Sequence, residues 1–198
     1  MYFIDWLDLI HSKSNLPFRV SQVCANERST FLVVGGRIII MKKNNDSFKY
    51  RNRLNNEKDF PKIKIIPKKL HKSWGIGKFV MPSPLEVNSL MKKVSKGKLT
   101  TINQLRGILA KKYKTTTACP IVTGIFVIIA ARAAEEVLKE GKRVTPYWRT
   151  IKSNGIINEK YPGGIATQKK ILKHKGHIIL SKGKNYIVEN YQNKLLKI

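Results

Sequence analysis

The chain has 198 residues, with 39 Lys and Arg against 12 Asp and Glu, a formal net charge of +27, and 42% hydrophobic residues. That hydrophobic fraction excludes a disordered basic tail and supports a folded domain with a core. No apolar run approaches the ~18–20 residues of a membrane span, and Asp5 and Asp8 stand where a signal peptide carries basic residues, so neither a membrane nor an exported protein is expected.

A charge excess this large concentrates polyanions around a protein, and nucleic acid is the default partner. An AT-rich genome also enriches Lys, Asn and Ile together, so charge alone does not decide the matter. Cys24 and Cys119 lie far apart and form no CxxC pair, which argues against a zinc site or a disulfide framework. A reducing cytoplasm is expected, with nucleoid association in a bacterium, and neither cofactor nor metal.

Residues 1–40 carry a net charge of +1 and residues 41–198 the other +26. Two readings of the first stretch stay open. One is a small subdomain with an amphipathic helix over residues 2–11, through Phe3, Leu7 and Ile10, and a hairpin turning at Gly35-Gly36. The other is an upstream extension without a fold of its own, with Met41 as the biological start. Residues 42–62 are polar and basic, too poor in apolar surface to offset their ordering entropy, and predict a flexible basic arm.

Ile63-Lys-Ile-Ile66 predicts a short strand ended by Pro67, and residues 68–78 a basic loop in which Trp74 anchors to the core more naturally than it stacks on a base. Three helices follow. Pro84 opens the first, over residues 85–94; Thr101 caps the second, over residues 102–113 with Ile102, Leu105 and Leu109 in helical register. After a Thr115-Thr-Thr linker, Cys119-Pro120 opens the third, which runs to about Lys139, is apolar around most of its circumference, and ends at Gly141. This succession predicts a helix-turn-helix core.

Residues 145–164 then form a rigid platform rather than a linker. Pro146 fixes a turn, Ser153-Asn-Gly155 makes another, and Pro162-Gly-Gly164 demands backbone angles that only glycine takes freely. A helix over residues 165–175, with Lys169, Lys170, Lys173 and Lys175 on its polar side, stops at Gly176-His177. Ile178-Ile-Leu180 and Tyr186-Ile-Val188 predict a hairpin with a lysine-tipped turn. Helices followed by a two-stranded wing predict a mainly α fold, a winged helix-turn-helix over residues 79–191, with residues 192–198 as a tail.

Several pieces in register carry a resemblance: Gly97 through Leu105, Pro146-Tyr147-Trp148-Arg149, Ser153-Asn-Gly155, Tyr161-Pro-Gly-Gly164 and Leu172-Lys-His-Lys-Gly-His177. Together they resemble the DNA-binding domain of the methylated-DNA–protein-cysteine methyltransferases, the O6-alkylguanine repair family, in a divergent alkyltransferase-like branch. That family carries Pro-Cys-His-Arg where this chain carries Pro146-Tyr147-Trp148-Arg149. The family's thiolate attacks an alkyl carbon on a flipped guanine. Here Tyr147 replaces the cysteine, Trp148 the histidine, Lys175 the glutamate and Ile102 the tyrosine that rotates the nucleotide. The arginine that fills the stack has no counterpart at residues 121–124.

The resemblance therefore implies a monomeric protein that binds double-stranded DNA, alkylated or structured, serves repair together with other repair proteins, and transfers no alkyl group, since a phenol is a poor nucleophile at neutral pH. It implies a base pocket formed by Tyr147, Trp148, Arg149, Ser153, Tyr161, Gly163 and Gly164, and DNA contacts from Thr101, Asn103, Thr123, Lys152, Lys169, Lys170 and Lys173. Two alternatives remain. Cys119, at a helix start where the dipole favours a thiolate, is the weak candidate for a displaced nucleophile in an active methyltransferase. The second alternative is a non-specific winged-helix nucleic-acid binder. His174 and His177 lie three apart with no carboxylate nearby, which argues against a metal.

Overall fold

The computed structural model describes residues 29–34, 37–42 and 48–196, the first two segments as backbone. The chain divides into two units, Met1–Ser47 and Phe48–Ile198.

In the first unit, β1 (Ser29–Val34) and β2 (Arg37–Lys42) pair antiparallel, in register from Ser29 opposite Lys42 to Val34 opposite Arg37. Met41, where the composition changes, pairs with Thr30 inside β2. The helix expected over residues 2–11 and the Gly35-Gly36 turn lie outside the described residues.

The second unit begins with α1 (Lys49–Leu54), in the segment expected to be a flexible arm. Six residues cannot hold a helix in water. This one is held from outside. The backbone N–H groups of Tyr50 and Arg51 donate to the two carboxylate oxygens of Glu136 at 3.0 and 2.9 Å. Arg51 also pairs with Glu140, and Arg132 lies against the Tyr50 ring. Local composition could not reveal partners more than eighty residues away.

A three-stranded sheet follows, built from β3 (Lys62–Ile65), β4 (Lys78–Met81) and β6 (Thr117–Ala118), with α2 (His71–Trp74) between its first two strands. β4 is central, antiparallel to β3 and parallel to β6. The stretch expected as a threonine linker thus supplies a strand, because Thr116 N donates to Lys78 O and Cys119 N to Val80 O, both at 2.8 Å. Trp74 anchors its loop as expected, edge-on to Phe79 with centroids 5.4 Å apart and beside Ile66.

The expected helices appear as α3 (Pro84–Lys92), α4 (Ile102–Lys112) and α5 (Pro120–Leu138). Ser83 and Thr101 close reciprocal capping boxes with Glu86 and Gln104, so two otherwise orphaned backbone donors are satisfied at each helix start. α5 packs against α1, α3, α4 and the turn at Tyr147–Arg149. Its buried Val127, Ala130, Ala131 and Ala134 are small enough to let these elements approach closely. That contact surface on several sides explains why α5 is apolar around most of its circumference.

Residues 145–164 thread through this core. β7 (Thr150–Ile151) pairs in parallel with β5 (Thr100–Thr101), which ties the stretch to the N-terminus of α4. α6 (Gly164–His174) comes next, and β8 (Ile179–Lys182) pairs antiparallel with β9 (Asn185–Val188) as the expected hairpin. The fold is thus mixed, several helices with small sheets. Among the described residues no helix is long and apolar enough to cross a membrane.

Candidate nucleic-acid interface

The stretch 145–164 is fixed by buried polar contacts along its length. Thr145 Oγ1 donates to Asn88 Oδ1 at 2.7 Å, and the turn that follows closes through Arg149 N to Pro146 O at 3.0 Å. Gln168 of α6 braces the middle. Its Oε1 accepts from Asn158 N at 2.8 Å, and its Nε2 donates to Trp148 O at 3.0 Å. Tyr161 O–H donates to Thr150 O at 2.9 Å.

This bracing decides where the aromatic side chains go. Tyr147 is 1% exposed, Tyr161 3% and Trp148 9%, and all three belong to the main hydrophobic cluster. Tyr147 packs edge-on against Trp148 and Tyr161, at centroid distances of 5.4 and 5.3 Å, a geometry favoured by the ring quadrupoles. The three residues expected to form a base pocket thus have their rings packed in the main hydrophobic cluster. Hydrophobic burial of such large rings outweighs anything their sequence neighbours suggest.

The phenol of Tyr147 donates to Glu135 Oε1 of α5 at 2.6 Å. Burial, reinforced by that carboxylate, pushes its ionisation far above the ordinary tyrosine range. Burial does the same to Tyr161. The Tyr147 phenol is thus held neutral and directed at a carboxylate. Arg149 is directed inward as well, donating from Nη1 to Val94 O at 2.6 Å, and burial lowers its pKa.

The glycines and Ser153 serve the backbone. Asn154 and Gly155 take φ of 60° and 76°. A Cβ on Gly155 would lie 2.5 Å from Tyr191 Cδ1, so the C-terminal segment closes directly over this turn. Gly163, at φ 68°, caps α6 where any side chain would overlap Thr167. Gly164, at φ 62°, is the first residue of the helix.

The expected DNA contacts divide into two groups. Thr101 and Thr123 are internal, at 6% and 0% exposure. The Thr101 hydroxyl accepts from Gln104 N in its capping box, and Thr123 Oγ1 is buried with no hydrogen-bond partner. Both side chains, expected as DNA contacts, are buried among the described residues. Asn103 is exposed and accepts from Arg106 Nη1 at 3.1 Å. Lys152 pairs with Glu159. On α6, Lys170 and Lys173 are exposed, and Lys169 lies over the Tyr186 ring at 4.1 Å, which ties α6 to the hairpin. Lys182 and Lys184 are exposed at the hairpin turn beside Gly183.

The acidic residues explain why this surface stays positive. Glu86 accepts from Lys112 and Tyr113, Glu135 from Tyr147, Glu136 from α1, Glu140 from Arg51 and Lys142, and Glu159 from Lys152. Among the described residues none of these partners is Lys169, Lys170, Lys173, Lys182 or Lys184. α6 and the hairpin thus carry several exposed lysines against Glu189 just after β9, an excess of positive charge.

Cys119 is 5% exposed and packs with Ile66 and Phe79 beneath the sheet. It is a small apolar residue there. His177 is 5% exposed, its Nδ1 has no hydrogen-bond partner, and burial together with Lys194 and Arg149 lowers its pKa. His174 is exposed, so the two histidines do not share a site.

Sequence reasoning missed Gln168 and Glu135. Gln168 left a signal, since it is the polar residue on the stripe that Ile165, Ile171 and Leu172 otherwise make apolar. Glu135 left none, because its partner is defined only when α5 meets the turn.

Neither a protein-family model nor a curated protein matches the chain. Among solved structures, S. pombe Atl1 in complex with damaged DNA containing O6-carboxymethylguanine is 19% identical, with a TM-score of 0.41, over 58% of this chain and 94% of that one. S. pombe ATL in complex with DNA is 20% identical over the same shares, also with a TM-score of 0.41.

Proposed function

We propose that this chain is a non-catalytic, alkyltransferase-like DNA-binding protein, a winged helix whose α6 and β8–β9 hairpin hold the phosphate backbone of a duplex. The observation that carries the binding reading is the cluster of exposed lysines, Lys170, Lys173, Lys182 and Lys184, on two elements joined by the contact of Lys169 with Tyr186. Such an array supplies the cations that contacts to phosphates use. The buried, carboxylate-bound phenol of Tyr147 supports the absence of alkyl transfer. The sequence resemblance supports alkylated DNA as the preferred target, with repair proteins as partners and a monomer as the binding species. In this reading the Pro146–Arg149 turn is the frame that holds α6 in place, and its aromatic side chains do not touch the lesion.

The test measures fluorescence anisotropy with duplexes that differ only in guanine or O6-methylguanine, over a range of salt, with intact mass recorded after incubation. Tighter binding of the modified duplex with no gain in protein mass is expected. Replacing Lys169, Lys170 and Lys173 together by Gln should weaken both duplexes and reduce the salt slope by about 3. Stoichiometric methylation of the protein, or an unchanged salt slope, refutes the proposal.

A further inference from the structure

Among the described residues β3 is an edge strand of its sheet. The order is β3-β4-β6, so β4 covers one side of β3 and no described strand covers the other. All four residues of β3 are exposed, Ile63 at 49% and Ile65 at 75%. Isoleucine this exposed on an edge strand is what proteins ordinarily avoid.

The register shows which backbone groups are open. Ile66 N donates to Gly77 O at 2.9 Å, continuing the ladder in which Lys64 faces Phe79 and Lys62 faces Met81. Bonded and non-bonded pairs alternate in an antiparallel ladder. The N–H and C=O groups of Ile63 and Ile65 therefore point away from β4. Alternation also separates the side chains: Ile63 and Ile65 lie on one face, and Lys62 and Lys64 on the other. Lys78 stands opposite Ile65, and Lys68 and Lys69 follow immediately. Lys62 pairs with Asp59 at 3.0 Å; Lys64, Lys68, Lys69 and Lys78 have no acidic partner among the described residues.

We infer that β3 is a docking edge for an extended segment of a partner protein that alternates apolar and acidic residues. Such a segment adds a strand through the open groups of Ile63 and Ile65. Its apolar side chains lie beside the two isoleucines, and its carboxylates lie beside Lys62 and Lys64, as cross-strand pairs require. The charge pattern also selects against a second copy of this chain, since β3 paired with itself sets lysine against lysine. A nucleic acid can meet the lysines but offers no matching ladder of amides and carbonyls.

The probe is a short acetylated and amidated peptide alternating valine and glutamate, titrated into the full chain labelled with 15N. The amides of Ile63 and Ile65 should exchange quickly in the free protein and become protected as the peptide saturates, while that of Lys64 is protected throughout. Ile65→Pro removes one outward donor and leaves the ladder to β4 intact; it should weaken the peptide about tenfold, the value of one backbone hydrogen bond, with DNA affinity unchanged. Peptide N-methylation at alternate valines should have a similar effect, and a valine–lysine peptide should not bind. The inference is overturned if Ile63 and Ile65 are already protected before the peptide is added, because the edge is then occupied by the chain itself or by a second copy. It is also overturned if Ile65→Pro and N-methylated peptides bind as well as their parents, because the attraction is then charge alone.

Discussion

Replacing Gln168 by leucine tests whether α6 braces the turn that follows Pro146. Leucine has nearly the same volume, so the packing survives and the polar contacts do not. Asn158 N–H loses an acceptor at 2.8 Å and Trp148 C=O loses a donor at 3.0 Å, at a site where Gln168 is 0% exposed and water has no access. Thr150 C=O retains Tyr161 O–H. Two buried orphans at ~1–3 kcal/mol each give a loss of about 2–6 kcal/mol, a large part of the ~5–15 kcal/mol that holds a domain folded. Urea unfolding followed by circular dichroism measures it. Gln168→Glu provides the sign: its carboxylate still accepts from Asn158 but has no proton for Trp148 O. Burial raises the pKa of such a carboxyl, so the penalty is present at neutral pH and recedes as acidification restores a donor. A loss below ~0.5 kcal/mol for leucine, or a glutamate variant indifferent to pH, refutes the bracing argument.

Tyr147→Phe removes a hydrogen bond to a carboxylate and should cost ~1–3 kcal/mol in the same unfolding assay while leaving DNA affinity unchanged. Tyr147→Cys places a thiol at a site 1% exposed; it should accept no methyl group from an O6-methylguanine duplex by intact mass, and methylation would refute the buried placement. Gly155→Ala should destabilise by about 2–4 kcal/mol, from a strained positive φ and a Cβ 2.5 Å from Tyr191, read as a lower melting temperature. His177 has a folded pKa lowered by burial, Lys194 and Arg149, so the unfolded chain takes up the proton first. Its contribution is constant above the free imidazole value of ~6.5 and is lost as pH falls from there through the folded midpoint. His177→Gln should flatten that part of the stability–pH curve.

The sequence by itself determined the helices and the C-terminal hairpin. Helical spacing, Ser83 and Thr101 as caps, Pro84 and Pro120 at helix starts, and Gly141 after α5 are local signals, and the physics that reads them is local too. The charge excess, the α6 lysines and the tyrosine at position 147 were also legible, because they depend on residue type alone. Tertiary structure decided which side chains face out. Tyr147, Trp148, Tyr161, Thr101 and Thr123 sit in motif positions that suggest contact with a ligand, yet each is buried, because neighbours distant in sequence close over them. The same non-local pairing turned part of the arm into α1 through Glu136, and the threonine linker into β6 through β4. Burial and strand pairing are sums over partners far apart in the chain, and no window of sequence contains them.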